Sequence, residues 1–324
     1  MATSVLRLVR AKFNLALKTG LLAQNSRILI AVSGGQDSLC LAELLRQAQS
    51  KWHWQLAIAH CDHNWRIDSA ACAIQVQELA NSWQIPFHLR VADLPLANEA
   101  NARTWRYQML EQIAKEEKYE IIVTGHTRSD RVETLLYNLM RGSGSDGLQS
   151  LGWQRNLNPN LSLVRPLLEV SRPETLEFCT ELNLSIWQDS TNNDLKYRRN
   201  RIRAELIPYM AEHFNPQVEI ALAQTAELLH ADVTYLEAKA KEFWRSESVP
   251  RLNRAELNDQ AIALQRRIVR QFLHFHLEHQ VDFAEITKFI ELLNAPNRSV
   301  SPPFGQNIYA KVEHPWIYLV RDLA

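Results

Sequence analysis

Short apolar runs alternate with longer amphipathic segments through the first half of the chain. The apolar runs predict strands at residues 28–32, 56–60, 87–91 and 120–124. The segments with helical periodicity predict helices at residues 37–49, 68–83, 99–118 and 129–140. This alternation favours an α/β fold with a mostly parallel sheet and helices on both faces, in which ligands bind beyond the carboxyl ends of the strands. Ser33, His60 and Gly125 follow three of those ends, so we expect their loops to share one crevice.

Helical spacing also appears at the amino terminus and dominates the second half of the chain. Apolar residues recur from Leu6 to Leu17, which predicts an integral amino-terminal helix, although the basic residues there would also suit a transit peptide. Ser171 and Glu174 form a capping box that begins another helix. Further on, the pattern predicts helices and then a strand pair, at 217–244, 261–276, 283–293 and 306–321. We therefore expect a first domain over residues 1–213 and a smaller, mainly helical domain over residues 214–324.

Composition and charge narrow the class of protein without identifying it. The 324 residues are 46% hydrophobic and 22% charged, as in ordinary globular chains, and the formal net charge is zero. A neutral chain can still bind nucleic acid if its basic residues are clustered. The four cysteines form no CxxC pair, which is typical of free thiols in a reducing compartment, and no apolar run is long enough to cross a bilayer. We therefore expect a cytoplasmic protein with no membrane partner.

The loop after the first strand, Ser-Gly-Gly-Gln-Asp-Ser from residue 33 to residue 38, has the composition of an anion-binding turn. Gly34 and Gly35 let backbone N–H groups approach an anion, and the following helix adds the positive end of its dipole. Asp37 would repel a phosphate directly, so Mg²⁺ that bridges phosphates is its natural ligand. The loop lacks the lysine of a Walker A motif. The plain alternative is a strand, turn and helix capped by Asp37 and Ser38.

This loop resembles the signature Ser-Gly-Gly-x-Asp-Ser of the N-type ATP pyrophosphatases, the PP-loop superfamily. The resemblance implies an adenine nucleotide α-hydrolase-like fold and cleavage of ATP between the α- and β-phosphates, so that AMP is transferred and diphosphate is released. It implies that Mg²⁺ binds at Asp37. It places ATP on Ser33, Gly34, Gly35, Gln36, Asp37 and Ser38, and we add His60, which lies at the end of the second strand.

Four further stretches resemble, in the same order along the chain, motifs of one branch of that superfamily, the tRNA(Ile)-lysidine synthetases. The first, from His60 to Arg66, resembles His-x-Asn/Asp-His-Gly-Leu-Arg, with Asn64 and Trp65 in place of Gly and Leu. The two histidines of this stretch could be purely structural. Because they follow the second strand, we favour contact of His60 with nucleotide or metal.

The second stretch, Arg103-Thr-Trp-Arg106-Tyr107, matches the Arg-x-x-Arg-Tyr motif of the branch. The spacing of three places both guanidinium groups on one helix face. Two such groups suit a diphosphate leaving group or an RNA phosphate. The alternative is that they are surface arginines paired with Glu99 or Glu111.

The third stretch, residues 124–134, resembles Thr-Gly-His-His-x-Asp-Asp-x-x-Glu-Thr. Asp130 and Glu133 are one helical turn apart, and their two carboxylates suit an ammonium group. In the branch this motif is linked to lysine, so the resemblance assigns lysine binding to Asp130 and Glu133. Thr127 stands where the second His is usual and Ser129 where the first Asp is usual, so this pocket has one carboxylate fewer.

The fourth stretch, Arg165-Pro-Leu-Leu, is followed by a basic segment at residues 189–203. That segment has five basic and two acidic residues in a chain of zero net charge. Such a segment is often just a solvated face, but its pattern and its capacity for stacking and hydrogen bonding favour RNA contact. The residues we expect to contact tRNA are Asn192, Tyr197, Arg199, Asn200 and Arg203.

Together these resemblances imply a two-step reaction on tRNA(Ile) with a CAU anticodon. ATP adenylates the 2-carbonyl oxygen of the wobble cytidine, and the amine of free lysine then attacks C2 and expels AMP to give lysidine. The catalytic residues so implied are Asp37, Arg103, Arg106 and His126.

Three alternatives remain at this level. A tRNA thiolase would share the adenylation step but would use a cysteine or a cluster for sulfur transfer. A small-molecule synthetase would not need the basic segment at 189–203. A non-catalytic RNA-binding module could keep the nucleotide loop as a relic. The sequence does not determine the oligomeric state and leaves a homodimer open.

Overall fold

The structure is a computed structural model, and it describes residues 4–65, 68–94, 98–188, 194–244, 249–277, 279–305 and 307–321. It divides into two compact units, residues 1–229 and residues 230–324. The sequence predicts a division after residue 213. The first unit extends further because Ala223 and Ala226 are buried in one apolar cluster with Val132, Leu135 and Leu136.

A six-stranded sheet forms the centre of the first unit. Its strands are β1 (Arg27–Ala31), β2 (Gln55–Asp62), β3 (Phe87–Val91), β4 (Ile121–Thr124), β5 (Gln154–Asn158) and β6 (Leu161–Val164). The strand order is β3-β2-β1-β4-β6-β5, and the paired strands are parallel except for β5 and β6. The mostly parallel sheet predicted from the sequence is confirmed, and β1 to β4 lie where the apolar runs predict them.

Helices cover both faces of this sheet. The helices of this part of the chain are α1 (Val5–Lys18), α2 (Gln36–Trp52), α3 (Ser69–Ser82), α4 (Glu99–Glu116), α5 (Arg128–Met140), α6 (Ser145–Leu148), α7 (Arg172–Glu181), α8 (Arg198–Arg201), α9 (Ile207–His213) and α10 (Val218–Phe243), which continues past residue 229, with a π-helical segment at Ile202–Leu206. Successive β1 residues alternate between two cores: Ile28 and Ile30 belong to one apolar cluster and Leu29 to another. Burial on both faces explains why this strand is a continuous apolar run.

The amino-terminal helix α1 packs into the first of these cores. Val9, Phe13 and Leu17 are buried there, as their helical spacing predicts. Lys12 of α1 pairs with Glu174 at 2.5 Å. Glu174 also completes the predicted capping box by accepting hydrogen bonds from the backbone N–H and hydroxyl of Ser171. Both sequence predictions for this region, the helix and the capping box, are confirmed.

The second unit combines helices with a small antiparallel sheet. It contains α11 (Arg254–Asn258), α12 (Ile262–His276), α13 (Phe283–Glu291), β7 (Arg251–Asn253), β8 (Ile308–Glu313) and β9 (Trp316–Arg321), with strand order β7-β9-β8. A cis peptide bond between His314 and Pro315 joins β8 to β9, the predicted strand pair. Phe272, Phe289 and Ile317 are completely buried in its core. Among the described residues, no helix is both long enough and apolar enough to cross a membrane.

Candidate active site

A cavity of about 460 Å³ lies at the carboxyl ends of the central strands of the first unit. Its lining includes Ser33 after β1, His60 of β2 and Gly125 after β4, the three positions expected to share a crevice. The predicted site residues that line it are Ser33, Asp37, Ser38, His60, Arg103, Arg106, His126, Asp130, Glu133, Tyr197, Arg199, Asn200 and Arg203. Gly34, Gly35 and Gln36 are not part of the lining. Asn192 lies outside the described residues.

The loop between β1 and α2 has the backbone of an anion-binding turn. Gly34 has a φ of +84°, and a Cβ atom there would lie 2.7 Å from Sγ of Cys72, so only glycine fits without strain. Gly35 is the N-cap of α2, and no described side chain caps its first turn. The first N–H groups of α2 therefore have no side-chain cap to satisfy them, as in helix ends that bind phosphate.

Ser38 and Gln36 hold this loop in place from two directions. The backbone N–H of Ser33 donates to Oγ of Ser38 at 3.1 Å, and that hydroxyl donates to the carbonyl of Gly35 at 2.9 Å. The amide of Gln36 donates to the carbonyl of Arg172 at 2.7 Å and to Oγ1 of Thr175 at 3.1 Å. The side chain of Gln36 thus fastens the start of α7 to the loop.

Gly125 lets the loop after β4 approach the first turn of α2. A Cβ atom at this position would lie 2.8 Å from the backbone carbonyl carbon and oxygen of Asp37 and 2.9 Å from the backbone nitrogen of Ser38. Backbone atoms cannot move aside as a flexible side chain can. Glycine is therefore required here because any larger residue would separate the two loops.

Asp37 is a partly buried carboxylate that contacts the first turn of α7. Oγ1 of Thr175 donates to Oδ1 of Asp37 at 2.5 Å, and Nη1 of Arg172 lies 3.6 Å from Oδ2. Burial raises the pKa of Asp37; Arg172 opposes this, while the neighbouring carboxylate of Asp130 adds to it. A second cation beside Asp37 would therefore be favourable.

The residues around Asp37 fit Mg²⁺ that is shared with phosphates. The described residues contain no group of three or more His, Cys, Asp or Glu side chains that could hold a metal by themselves. Mg²⁺ commonly binds through one or two carboxylates together with substrate phosphates and waters. Asp37 can supply such a carboxylate.

Thr127 and Asp130 close the amino-terminal end of α5. Thr127 is the N-cap, and Oδ2 of Asp130 accepts hydrogen bonds from the Thr127 backbone N–H at 2.8 Å and hydroxyl at 2.7 Å. Burial would raise the pKa of Asp130, but nearby His126 and these two hydrogen bonds outweigh it, so the pKa lies below its usual value. Thr127, which departs from the family pattern, thereby helps to keep Asp130 ionised.

His126 is a neutral imidazole next to Asp130. Its Nδ1 is hydrogen-bonded to Oγ1 of Thr124 at 2.8 Å. Burial lowers the pKa of His126 well below its usual value, and Arg165 and Arg103 lower it further against the opposing effect of Asp130. At neutral pH this side chain therefore carries no charge.

Ser129 and Glu133 lie on the same helix, but only Glu133 lines the cavity. Ser129 donates to Oε1 of Glu219 at 3.0 Å and accepts from the backbone N–H of Arg172 at 3.2 Å. Glu133 is bound by Arg203, whose Nε and Nη2 donate to its two carboxylate oxygens at 2.5 and 2.9 Å. A residue predicted to bind lysine and a residue predicted to contact tRNA thus pair with each other.

The two arginines of α4 line the cavity close to Tyr107. The guanidinium carbons of Arg103 and Arg106 lie 5.1 and 5.9 Å from the centre of the Tyr107 ring. No described carboxylate side chain forms a salt bridge with either arginine, Glu111 included. Burial lowers the pKa of Arg103, and the neighbouring arginines lower it further. This part of the cavity is strongly cationic.

Both histidines of the β2 motif reach the cavity lining. Nδ1 of His60 lies 2.8 Å from the carbonyl oxygen of Val32. The ring of His63 meets Trp65 and Trp105 edge-on, with ring centres 5.5 and 5.4 Å apart. Burial lowers the pKa of His63 to about 4, assisted by Arg106.

The sequence did not identify Arg172 and Thr175 as site residues. They were visible only as part of a predicted helix that begins with a capping box. The contact of Thr175 with Asp37 spans 138 residues, and it depends on the packing of α7 beside α2. No local pattern predicts such a contact.

Comparison with known proteins defines the class of this site. Residues 6–210 match the family model of the PP-loop domain. The fold is also similar to that of a U34-tRNA thiolase, NcsA, from Methanococcus maripaludis, with a TM-score of 0.60 over 70% of this chain and 79% of that chain, at 16% sequence identity. That similarity concerns the fold alone. The fold and the loop after β1 are those of a PP-loop ATP-binding domain.

Two relatives narrow the class further. Proteins from Nostoc sp. and Synechocystis sp., each named tRNA(Ile)-lysidine synthase, are 54% and 53% identical to this chain. The first match covers 91% of both chains, and the second covers 88% of this chain and 89% of the relative. The chain belongs to the tRNA(Ile)-lysidine synthase family and is a ligase, which confirms the resemblance found in its motifs.

Proposed function

We propose that this chain joins lysine to C2 of the wobble cytidine of tRNA(Ile) with a CAU anticodon. In this proposal ATP adenylates the 2-carbonyl oxygen of the cytidine, and the lysine amine then displaces AMP to form lysidine. The observation that carries the proposal is that the nucleotide loop, the ionised Asp130 and the basic segment containing Arg199 line one cavity. The names of the relatives support tRNA(Ile) and lysidine as the substrate and product.

The adenylation step requires charge stabilisation on the triphosphate. The amino-terminal end of α2 and the turn at Gly34 would receive the phosphates, and Arg103 with Arg106 would neutralise the departing diphosphate. Asp37 would hold Mg²⁺, which when bound neutralises phosphate charge. The cytidine oxygen forms its new bond to the α-phosphorus as the bond from that phosphorus to the diphosphate breaks.

The second step requires a lysine amine held next to C2. Arg203 pairs with Glu133 and compensates its charge. Asp130 is therefore the carboxylate that can bind the ammonium group of lysine. The amine must lose a proton before its nitrogen bonds to C2 and the bond from C2 to the AMP oxygen breaks. The lowered pKa of His126 makes it a weak base, so this first proton goes to water. The departing AMP takes up the second proton, which the nitrogen releases once it has bonded to C2.

RNA recognition in this proposal begins at the cavity wall. Tyr197, Arg199 and Asn200 line the cavity and would contact the anticodon loop. Unstacking the target cytidine costs on the order of a few kcal/mol, which these contacts would offset. The tRNA-contacting role of residues 214–324, the cytoplasmic location and the homodimer remain predictions.

Cys61, which lies within the histidine motif, does not support the thiolase alternative. Cys61 lines the cavity, but burial raises the pKa of its thiol to about 12, against the opposing effects of Arg106 and Arg90. A thiol that stays protonated at neutral pH is a poor nucleophile for sulfur transfer.

The proposal is tested by incubating the purified chain with ATP, radiolabelled lysine and a tRNA pool. We expect label in a single RNA species, with one AMP formed for each lysine incorporated. Omission of ATP should abolish the label. Formation of ADP instead of AMP, or incorporation of sulfur instead of lysine, would overturn the proposal.

A further inference from the structure

Guanidinium groups from two different elements surround the ring of Tyr107. Arg103 and Arg106 come from α4, the helix that carries Tyr107 itself. Arg155 comes from β5, and its guanidinium carbon lies 5.7 Å from the centre of the same ring. Arg165, which follows β6, is buried and interacts with Tyr107 as well.

The register of the sheet explains how Arg155 reaches α4. Arg155 pairs with Leu163 of the antiparallel neighbour β6, and directly paired residues point to the same face of a sheet. Leu163 packs in one apolar cluster with Leu110 and Ile113 of α4. Arg155 therefore lies on the same face of the sheet as α4, on the edge strand next to the apolar cluster.

The four arginines around Tyr107 carry more positive charge than the carboxylates of the described residues compensate. Two arginines that stack on aromatic rings elsewhere in the first unit have polar partners: Arg27 donates to the carbonyls of Glu117 and Lys118, and Arg46 pairs with Glu43. Arg155 forms no ion pair with a described carboxylate. Burial is the main cause of the lowered pKa of Arg103, and the positive charge of Arg155 makes a smaller contribution in the same direction. Guanidinium groups that stand together without carboxylates suit a ligand with several phosphates.

Arg155 lies outside the cavity, unlike the two arginines of α4. Arg103, Arg106 and Tyr107 line the cavity, whereas Arg155 is exposed and does not line it. A triphosphate inside the cavity would meet the α4 arginines. An RNA chain that places one base in the cavity must leave its neighbouring phosphates outside it, next to exposed groups.

We propose that Arg155 and Tyr107 form a phosphate subsite for the RNA backbone next to the target nucleotide. The inference rests on the proposed function, since it takes RNA as the substrate of the cavity. Arg155 binds a backbone phosphate, and the Tyr107 ring holds its guanidinium in place by a cation–π contact. The subsite positions the RNA and has no part in the chemistry.

The test compares Arg155→Ala and Arg155→Lys with a matched control at the opposite edge of the sheet. Arg90 of the edge strand β3 pairs with Glu116 at 2.6 Å, so Arg90→Ala removes an equal charge that is already compensated. For each variant, tRNA affinity is measured at several salt concentrations, together with KM for tRNA and for ATP. Thermal unfolding verifies that each variant is folded.

We expect Arg155→Ala to weaken tRNA binding and to reduce the slope of log Kd against log salt by about 0.7, the value for one phosphate contact on a single strand. KM for tRNA should rise in parallel, while KM for ATP stays unchanged. Arg155→Lys should retain the slope because the charge remains, and Arg90→Ala should match the wild type.

The outcomes separate this subsite from the proposed function. If the wild type binds and modifies tRNA and Arg155→Ala has the same salt slope, the subsite is wrong and the proposed function stands. If KM for ATP rises instead, Arg155 serves the triphosphate and the subsite is also wrong. If the wild type neither binds tRNA nor modifies it, the proposed function fails and the subsite fails with it.

Discussion

Arg203 binds Glu133 through two parallel hydrogen bonds, from Nε to Oε1 at 2.5 Å and from Nη2 to Oε2 at 2.9 Å. The pair joins the π-helical segment to α5 across 70 residues of sequence. Only 2% of the Glu133 side chain is exposed, so Arg203 replaces the contacts that its carboxylate would otherwise make with water. Burial raises the pKa of Glu133, and Arg203 opposes that rise.

We expect Glu133→Gln to lower the free energy of unfolding by about 2 kcal/mol, because it leaves Arg203 without its partner in a largely buried position. Urea unfolding at pH 7 measures this change. The double variant Glu133→Gln, Arg203→Met should be less destabilised than the sum of the two single variants.

The control for this prediction lies in the same helical run. Arg201 and Glu205 also pair, at 3.2 Å, but their side chains are 62% and 50% exposed. Glu205→Gln should therefore change the free energy of unfolding by about 0.5 kcal/mol or less. Equal effects of the two substitutions would show that burial does not determine the strength of the Glu133 pair.

Asp37→Asn should impair the adenylation step and spare RNA binding. The amide can still accept the hydrogen bond from Thr175, but it removes the charge that would hold Mg²⁺. We expect AMP formation to fall by about 100-fold or more, and the Mg²⁺ concentration required for half-maximal rate to rise. Rapid-quench assays with labelled ATP measure the first effect.

The affinity for tRNA is the internal control for Asp37→Asn. It should stay within a few-fold of the wild type, because the cationic groups at Arg103, Arg106 and Arg199 are unchanged. A parallel loss of AMP formation and tRNA affinity would contradict the division of the cavity into a nucleotide part and an RNA part.

Gly125→Ala should move the loop after β4 away from α2. The new methyl group would lie 2.8 Å from the backbone of Asp37, which has no room to yield. We expect a loss of stability of about 1–3 kcal/mol, together with weaker ATP binding, because both sides of the nucleotide loop shift.

Gly144 provides the comparison for Gly125. A Cβ atom there meets no heavy atom within 4 Å, and φ is −71°, so alanine is tolerated sterically. Gly144→Ala should change stability by about 0.5 kcal/mol or less. If both variants behave alike in calorimetry and ATP titration, close approach of the two loops is not the reason for glycine at position 125.

Much of the first unit follows from local sequence pattern. Strands β1, β2 and β4 are apolar because the sheet is covered on both faces there, and the nucleotide loop is recognisable because five of its six positions match the signature. Strand β5 was not predicted because its sequence, Gln-Arg-Asn-Leu-Asn, is polar and mostly exposed at the edge of the sheet. Its position depends on pairing with β6, which a single segment does not show.

Contacts between distant segments account for what the motifs did not reveal. The motif at 124–134 shows two carboxylates one turn apart, but it does not show that Arg203 occupies one of them. The role of Thr127 is different, since a Thr followed three residues later by Asp is a local capping signal. The comparison with the family motif treats Thr127 only as a replacement for the usual His, and this conceals the capping signal. The roles of these site residues remain predictions that the variants test.

Asp130→Asn should make lysine limiting while adenylated tRNA still forms. The lowered pKa of Asp130 keeps it ionised at neutral pH, and the substitution removes that charge but retains an oxygen for the bonds from Thr127. We expect KM for lysine to rise by about 10-fold or more, consistent with the loss of one charged hydrogen bond worth about 1.5–3 kcal/mol. Adenylated tRNA should accumulate in a single-turnover assay at low lysine concentration.

Thr127→Ala separates the charge of Asp130 from its role in the capping box. This variant loses the N-cap and should cost about 1 kcal/mol of stability, yet Asp130 keeps its carboxylate. KM for lysine should therefore change far less than in Asp130→Asn. If the two variants raise that KM equally, Asp130 acts on the helix end and not on the lysine amine, and the lysine site must be sought elsewhere in the cavity.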